Sequence, residues 1–186
     1  MSGIHTDKKK LNHTLEFVAN VLHEENINDW FIFFGTLLGI VRENSCIDQD
    51  DDLDIMINCD YQQLRNAFEK RGFDFGGRGP GGHRIKNPGS ILKSKPTQEF
   101  ASFDFYMCEV KLKNYFSKWQ NVEIQNVEID SKEWRSTQIN LPKNSEYVLK
   151  KLYGETWQTP IKYEQKDKQI FAKGAGFYNP SIYTLI

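Results

Sequence analysis

Two short blocks set close together constrain this chain more than anything else in it. The first is Gly35-Thr36-Leu37-Leu38-Gly39 with Arg42 behind it, and the second is Asp50-Asp51-Asp52-Leu53-Asp54-Ile55. An apolar run over residues 30–34 predicts a strand that ends in Gly-Thr, and the apolar spacing of residues 35–43 predicts a short helix. A polar turn then leads to a second strand over residues 53–57, with aspartates at alternate positions around its start. Side chains alternate faces along a strand, so Asp50, Asp52 and Asp54 share one face if extended backbone reaches back to Asp50. Neighbours two apart lie about 7 Å from one another, and two such charges repel by roughly 2.4 kcal/mol at an effective dielectric of about 20. A divalent cation relieves that repulsion, and oxygen-only ligands favour Mg²⁺ or Mn²⁺. A solvated acidic turn is the plainer alternative. Against it, Leu53, Ile55, Met56 and Ile57 interleave with and follow the acids, so the carboxylates project from the end of a buried strand. A calcium loop is excluded: counted from Asp50, its required Gly and Glu positions hold Ile55 and Tyr61.

The length, 186 residues, fits one domain with a core of ordinary size. Twenty-four basic and 25 acidic residues are interspersed, which leaves no footprint for bulk nucleic-acid binding. Cys46, Cys59 and Cys108 are scattered and odd in number. That suits a reducing compartment and excludes a Cys-rich zinc module. Residues 1–10 are polar, and no run approaches the ~20 apolar residues of a membrane helix. The expectation is a soluble, cytoplasmic protein with no membrane segment.

Along the chain, Leu11, Leu15, Val18 and Leu22 recur at helical spacing and predict an amphipathic helix over residues 7–25 that packs on a sheet. His13 and His23 on it are ordinary helix positions. Asp60 is a good N-cap for a helix to about residue 71, with Leu64 and Phe68 inward and Gly72 ending it. Residues 72–89 are rich in Gly and carry Arg78, His83, Arg84 and Lys86. They form either a mobile turn between two strands or a substrate lid whose bases meet a phosphate. A phosphate-loop motif is absent, since no Gly-Lys-Ser/Thr ending occurs here. Residues 100–110 predict a strand with Asp104 between Phe103 and Phe105. A lone carboxylate there is costly to bury unless paired, hydrogen-bonded or metal-bound, which makes Asp104 the candidate third ligand. Residues 111–141 predict two or three short strands or a hairpin. A helix follows over residues 144–153, with Asn144 and Ser145 as capping candidates, Lys150 and Lys151 late, and Gly154 as the stop. Val148, Leu149, Leu152 and Tyr153 form its buried face. Beyond Pro160 the chain is polar and irregular, and Phe177, Tyr178 and Tyr183 are expected to pack back on the body.

A strand ending in Gly-Thr, a helix, a strand opening Asp-apolar-Asp, and a third Asp on a later strand together resemble the nucleotidyltransferase superfamily. Gly35-Thr36-Leu37-Leu38-Gly39, Arg42 and Ile47 leading into the acidic block look like its LicD/fukutin branch. Leu141-Pro142-Lys143-Asn144, Tyr153-Gly154, Trp157 and Pro160 are spaced as in that branch too, so the resemblance spans roughly residues 30–160. It implies an α+β fold, a mixed β-sheet flanked by helices in a single domain. Residues 1–29 would pack a helix on a core of residues 30–160, and residues 161–186 would extend it. It implies metal-dependent transfer of a phospho-alcohol, of phosphocholine or alditol-phosphate type, from a CDP-linked donor to a hydroxyl of a glycan or related acceptor. Asp52 and Asp54 would hold one or two Mg²⁺ (or Mn²⁺) ions and Asp104 would complete the second, in a site about 3.5–4 Å between metals. Asp50 is a ligand or a partner of the ligands. Gly35, Thr36, Gly39 and Arg42 form the donor-phosphate side, with Gly35 and Thr36 at a helix N-terminus. Arg42 either contacts a phosphate or pairs with the acidic block. Tyr153, Gly154 and Trp157 are assigned to packing. Members often carry Pro-Trp ahead of the acidic block, where Asp48-Gln49 stand here, which leaves the donor preference open.

Three other readings compete. A nucleotide-sugar glycosyltransferase usually places several strands before its acidic pair, and only about fifty residues precede it here. A nucleotidyltransferase acting on protein, nucleic acid or a small molecule shares the three carboxylates but takes a nucleoside triphosphate as donor. A non-catalytic nucleotide-binding module would be expected to have lost a carboxylate, and all three are present. The identities of the donor alcohol and of the acceptor, glycan or small hydroxyl compound, stay open.

Overall fold

Parallel pairing of two strands, β2 (Asp52–Ile57) and β4 (Ser102–Lys111), sets the frame of the molecule. The computed structural model describes residues 6–76, 89–117, 119 and 122–160, together with the backbone of residues 183–185. Around the central pair run β1 (Trp30–Ile32), β3 (Ile91–Lys93), β5 (Asn114–Ser117), β6 (Val122–Ile124) and β9 (Tyr183–Leu185), giving a mixed seven-stranded sheet. Its path is β1-β2-β4-β5-β6-β9, with β3 also paired to β4. β7 (Ile129–Trp134) and β8 (Thr137–Pro142) form a separate hairpin. Four helices accompany the sheet among the described residues: α1 (Lys8–Glu24), α2 (Phe34–Glu43), α3 (Tyr61–Glu69) and α4 (Ser145–Tyr153). The architecture is α+β in a single domain.

Register explains how one strand carries both a carboxylate and a row of aromatics. Leu53 lies opposite Phe103 and Ile55 opposite Phe105, so these four share a face. Phe68 of α3 packs on that face, 5.2 Å from the Phe103 ring and 5.1 Å from Phe105. Burial of each such ring contributes roughly 1.5–3 kcal/mol. The opposite face carries Asp52 beside Ser102, Asp54 beside Asp104, and Met56 beside Tyr106. Asp104 therefore sits between Phe103 and Phe105 in sequence but on the other side of the sheet.

Local chemistry sets the ends of the elements. The Asp60 carboxylate accepts the Gln63 N–H at 2.7 Å and starts α3, and Gly72, at φ 86, ends its continuation. Asp7 does the same for α1, accepting from Lys9 N–H at 2.7 Å. Asn12, buried on α1, straps the loop before β2. Its amide donates to Ser45 Oγ at 2.9 Å and its carbonyl accepts from Cys46 N–H at 2.8 Å. α4 ends at Gly154, with φ 84.

Several expectations change in detail. The second strand starts at Asp52, so Asp50 is not part of the alternating row. Gln49 turns the chain with φ 67, and Asp50 C=O and Gln49 N–H bond the backbone of Thr6 instead of a strand. Among the described residues of 111–141 there are four strands, where two or three or a hairpin were expected, and the last two form a hairpin. β3 is a strand that the sequence did not announce. Arg78, His83, Arg84 and Lys86 of the candidate lid lie outside the described residues. No helix among the described residues is long and apolar enough to cross a membrane.

Candidate active site

The parallel register of β2 and β4 brings Asp52, Asp54 and Asp104 to one face at one end of the sheet, because Asp54 stands directly opposite Asp104. On the far side of β4, Lys93 of β3 also pairs with Asp104 in register. Its ammonium reaches over the strand and bridges two of the acids, 2.6 Å from Asp104 Oδ2 and 3.0 Å from Asp52 Oδ2. Tyr106, two residues past Asp104 and so on the same face, donates its hydroxyl to Asp54 Oδ1 at 3.0 Å.

α2 closes the site from above. Its first residue, Phe34, has φ 43, and its ring meets Tyr106 edge-on at 5.5 Å. Thr36 is 1 % exposed, and its Oγ1 accepts the backbone N–H of Asp54 at 2.8 Å. Asp54 C=O accepts from Phe33 N–H at 2.9 Å, so the backbone of this aspartate is held from both sides. Asp50 lies against the start of α2: its Oδ2 is 2.7 Å from where a Cβ on Gly35 would stand.

The electrostatics follow from burying like charges together. Burial raises the Asp52 pKa and the Asp51 charge adds to this, while the Lys93 ammonium opposes both. Burial pushes Asp54 well up, reinforced by the charges of Asp52, Asp104 and Asp50. Asp104, 1 % exposed, is pushed up to about 7 by burial and then by Asp52, against the pull of Lys93. Burial alone would lower the Lys93 pKa, but Asp104 and Asp52 reverse this and hold it above its ordinary value. The buried Tyr106 hydroxyl is pushed well up and stays a neutral donor.

Among the described residues, no group of three or more His, Cys, Asp or Glu side chains is arranged to hold a metal ion as it stands. Lys93 bridges two of the three carboxylates instead. One observation nevertheless fits a hard cation: Asp104 Oδ1 is buried and has no hydrogen-bond partner among the described residues. With Asp52 and Asp54 beside it, the donor set is all oxygen, which suits Mg²⁺ or Mn²⁺ and not a thiophilic metal.

The other expected site residues take different places. Thr36 was expected on the donor-phosphate side, and the structure buries its hydroxyl against Asp54 N–H. Gly39 is not at the acids. A Cβ there would stand 2.5 Å from Ser45 O and 2.9 Å from Ile47 N, so Gly39 lets the loop before β2 cross the helix. Arg42 does not pair with the acidic block: it lies about 10 Å along α2 from Gly35 and pairs with Glu43 at 2.5 Å. Asp48, where family members often carry Pro-Trp, accepts from Lys8 N–H at the start of α1 at 3.1 Å. Lys93 and Tyr106 were missed. Strand alternation from Asp104 would have found Tyr106, whereas Lys93 sits in a three-residue strand with no periodic signal. A separate open cavity of about 600 Å³ lies between α2 and α4, with Ile40, Val41, Leu141, Lys143 and Tyr147 in its walls and none of the aspartates.

Comparison with known proteins bears on the fold and the family. No curated protein sequence matches the chain. Among solved structures, the lincosamide antibiotic adenylyltransferase LnuA, lincomycin-bound, superposes with a TM-score of 0.55 at 12 % identity, covering 92 % of this chain and 97 % of that one. ANT(2")-Ia in complex with adenylyl-2"-tobramycin superposes with a TM-score of 0.50 at 12 % identity, covering 88 % and 87 %. At such identities these likenesses establish the nucleotidyltransferase fold. The family model described as LicD/FKTN/FKRP, nucleotidyltransferase domain, matches residues 27–171, a span that contains both sequence blocks, the three aspartates and Lys93. The chain belongs to the LicD/FKTN/FKRP nucleotidyltransferase-domain family of transferases.

Proposed function

We propose that this transferase moves a phospho-alcohol, of phosphocholine or alditol-phosphate type, from a CDP-linked donor to a hydroxyl of a glycan or related acceptor. The observation that carries the reading is the trio Asp52, Asp54 and Asp104 on one sheet face, with the buried Asp104 Oδ1 left without a partner. Asp52 and Asp54, half-buried, and Asp104 would hold Mg²⁺ or Mn²⁺. When bound, the cation supplies charge neutralisation at the donor phosphates and makes the acceptor hydroxyl easier to deprotonate. The chain's own part is positioning. The start of α2, where the Asp50 carboxylate lies in this structure, would turn the positive end of the helix dipole toward an anionic donor. Thr36 and Tyr106 fix the backbone and one carboxylate oxygen of Asp54. The acceptor oxygen attacks the phosphorus bearing the alcohol, the bond to cytidine monophosphate breaks, and that nucleotide leaves. The hydroxyl proton passes to a carboxylate of the trio.

A second reading, nucleotidyl transfer from a nucleoside triphosphate to a small-molecule hydroxyl, draws on one observation. The chain covers 97 % of LnuA, an adenylyltransferase bound to the small molecule lincomycin. The test is calorimetric titration of CTP, CDP, ATP, GTP and UTP, with and without Mg²⁺ or Mn²⁺, into the wild type and an Asp52→Asn/Asp54→Asn variant. Release of cytidine monophosphate from CDP-choline and CDP-ribitol, and of pyrophosphate from CTP and ATP, is then measured. Metal-dependent cytidine binding that the variant loses, with release of cytidine monophosphate, supports the first reading. Equal binding of all nucleotides with pyrophosphate release moves the assignment to the second. Absence of any metal-dependent nucleotide binding overturns both.

A further inference from the structure

We propose that Lys93 is a built-in cation of the site, filling the place between Asp52 and Asp104 so that the trio takes up one divalent metal ion and not two. The inference rests on the metal-dependent reading of the site given above and adds the number of ions and the residue that sets it.

Three observations converge on Lys93. Its ammonium contacts one oxygen of each of two acids on different strands, at 2.6 Å from Asp104 Oδ2 and 3.0 Å from Asp52 Oδ2. That is the position between the strands where a bridging cation would neutralise both. The placement is built by the backbone: β3 pairs with β4 so that Lys93 lies directly opposite Asp104, with Leu92 and Ile91 buried to anchor the strand. The side chain is itself only 25 % exposed, so it is held and not waving in solvent. Third, charge is nearly balanced by one metal ion. Three carboxylates against one ammonium leave two negative charges on the trio itself, the complement of a single divalent cation, with Asp50 and Asp51 adding their charges from outside it.

The remaining geometry says where that ion would go. Asp104 Oδ2 and Asp52 Oδ2 face the ammonium, whereas Asp104 Oδ1 has no partner among the described residues. Asp54, opposite Asp104, has one oxygen on the Tyr106 hydroxyl and no contact to Lys93. Lys93 thus engages one edge of the trio and leaves the Asp54 side to the metal. An ammonium donates hydrogen bonds but supplies no open coordination position. It therefore positions Asp52 and Asp104 without itself gathering a phosphate and a hydroxyl, and Lys93 is a positioning residue.

The test counts ions. Chelator-stripped wild type and Lys93→Met are titrated with Mn²⁺ alone, with the free ion followed by electron paramagnetic resonance, and thermal unfolding is recorded in EDTA and in Mn²⁺. The wild type is expected to bind one ion. Lys93→Met is expected to bind a second, or to bind the first at least tenfold more tightly. It should also melt lower than wild type in EDTA, with Mn²⁺ closing the gap. A purely structural lysine would lower the melting point and leave the count and affinity unchanged, and that result overturns the proposal. Two ions on the wild type overturn it as well, which decides the matter even if Lys93→Met fails to fold. Lys93→Arg, which keeps the charge, should bind one ion, and two would count against the proposal. Mn²⁺ binding by Lys93→Met but not by wild type would overturn the one-ion proposal together with metal dependence of the native enzyme. Binding by neither overturns both.

Discussion

Thr36→Val removes one acceptor from a buried position and leaves the shape nearly unchanged. Thr36 is 1 % exposed and its Oγ1 accepts Asp54 N–H at 2.8 Å. Without it, that buried N–H loses its acceptor, which costs about 1–3 kcal/mol. The extra methyl recovers up to about 0.8 kcal/mol, so the net loss is about 1–2 kcal/mol. With a urea slope near 2 kcal/mol/M, the unfolding midpoint falls by about 0.5–1 M. Thr36→Ser keeps the acceptor and deletes one buried methyl, for about 1 kcal/mol, so stability alone does not separate the two variants. The site does. Asp54 loses an anchor only in the valine variant, so metal-dependent nucleotide binding should weaken several-fold in Thr36→Val and stay within about twofold of wild type in Thr36→Ser. A valine variant with the wild-type midpoint and wild-type binding would show that the hydroxyl does not hold Asp54, and the account of the site would fail at its base.

Two further predictions use other parts of the same region. Asp104 is pushed up to about 7, against about 3.9 in an unfolded chain, so between those values the native state holds a proton that the unfolded state has lost. Asp104 alone should therefore make stability without metal fall by about 4 kcal/mol as pH rises from about 4 to 7, with Asp52 and Asp54, also raised, adding to the fall, and Asp104→Asn should make that slope shallower in urea melts at stepped pH. A flat wild-type profile in EDTA would contradict the burial of a protonatable carboxyl there. In α2, alanine is favoured over glycine by about 1 kcal/mol at either Gly35 or Gly39, but the two sites differ in what a Cβ meets. At Gly39 it meets the backbone of Ser45 and Ile47, at 2.5 and 2.9 Å, and overpacking should cost about 1–3 kcal/mol. At Gly35 it meets the end of the Asp50 side chain, whose displacement costs at most its bond from Asp51 N–H and the contacts it makes there, and no backbone. Differential scanning calorimetry should show Gly39→Ala melting several degrees below Gly35→Ala, and the reverse order would refute this packing argument.

Much of the site was legible because its signals are local. Asp52 and Asp54 alternate with Leu53 and Ile55, and that period is enough to put both acids on one face of a strand. Asp60 and Gly72 announce the start and stop of α3 through hydrogen bonding and a positive φ that depend on neighbours a few residues away. Asp104 was legible for a different reason: a carboxylate among aromatics needs a compensating partner wherever the strand lies. The roles of Thr36, Gly39 and Arg42 were not legible. A Gly-Thr at a helix start looks the same whether its hydroxyl faces a phosphate or a backbone N–H eighteen residues on. Lys93 was the furthest from view. Ile91-Leu92-Lys93 is too short to show a period, and its importance comes from pairing opposite Asp104 across β4. Sequence alone determined which residues carry charge and which face of each strand they take, because side-chain alternation is a property of the local backbone. Only the tertiary structure decided that a lysine from another strand reaches Asp52 and Asp104, because hydrogen-bonded register between distant strands sets that distance.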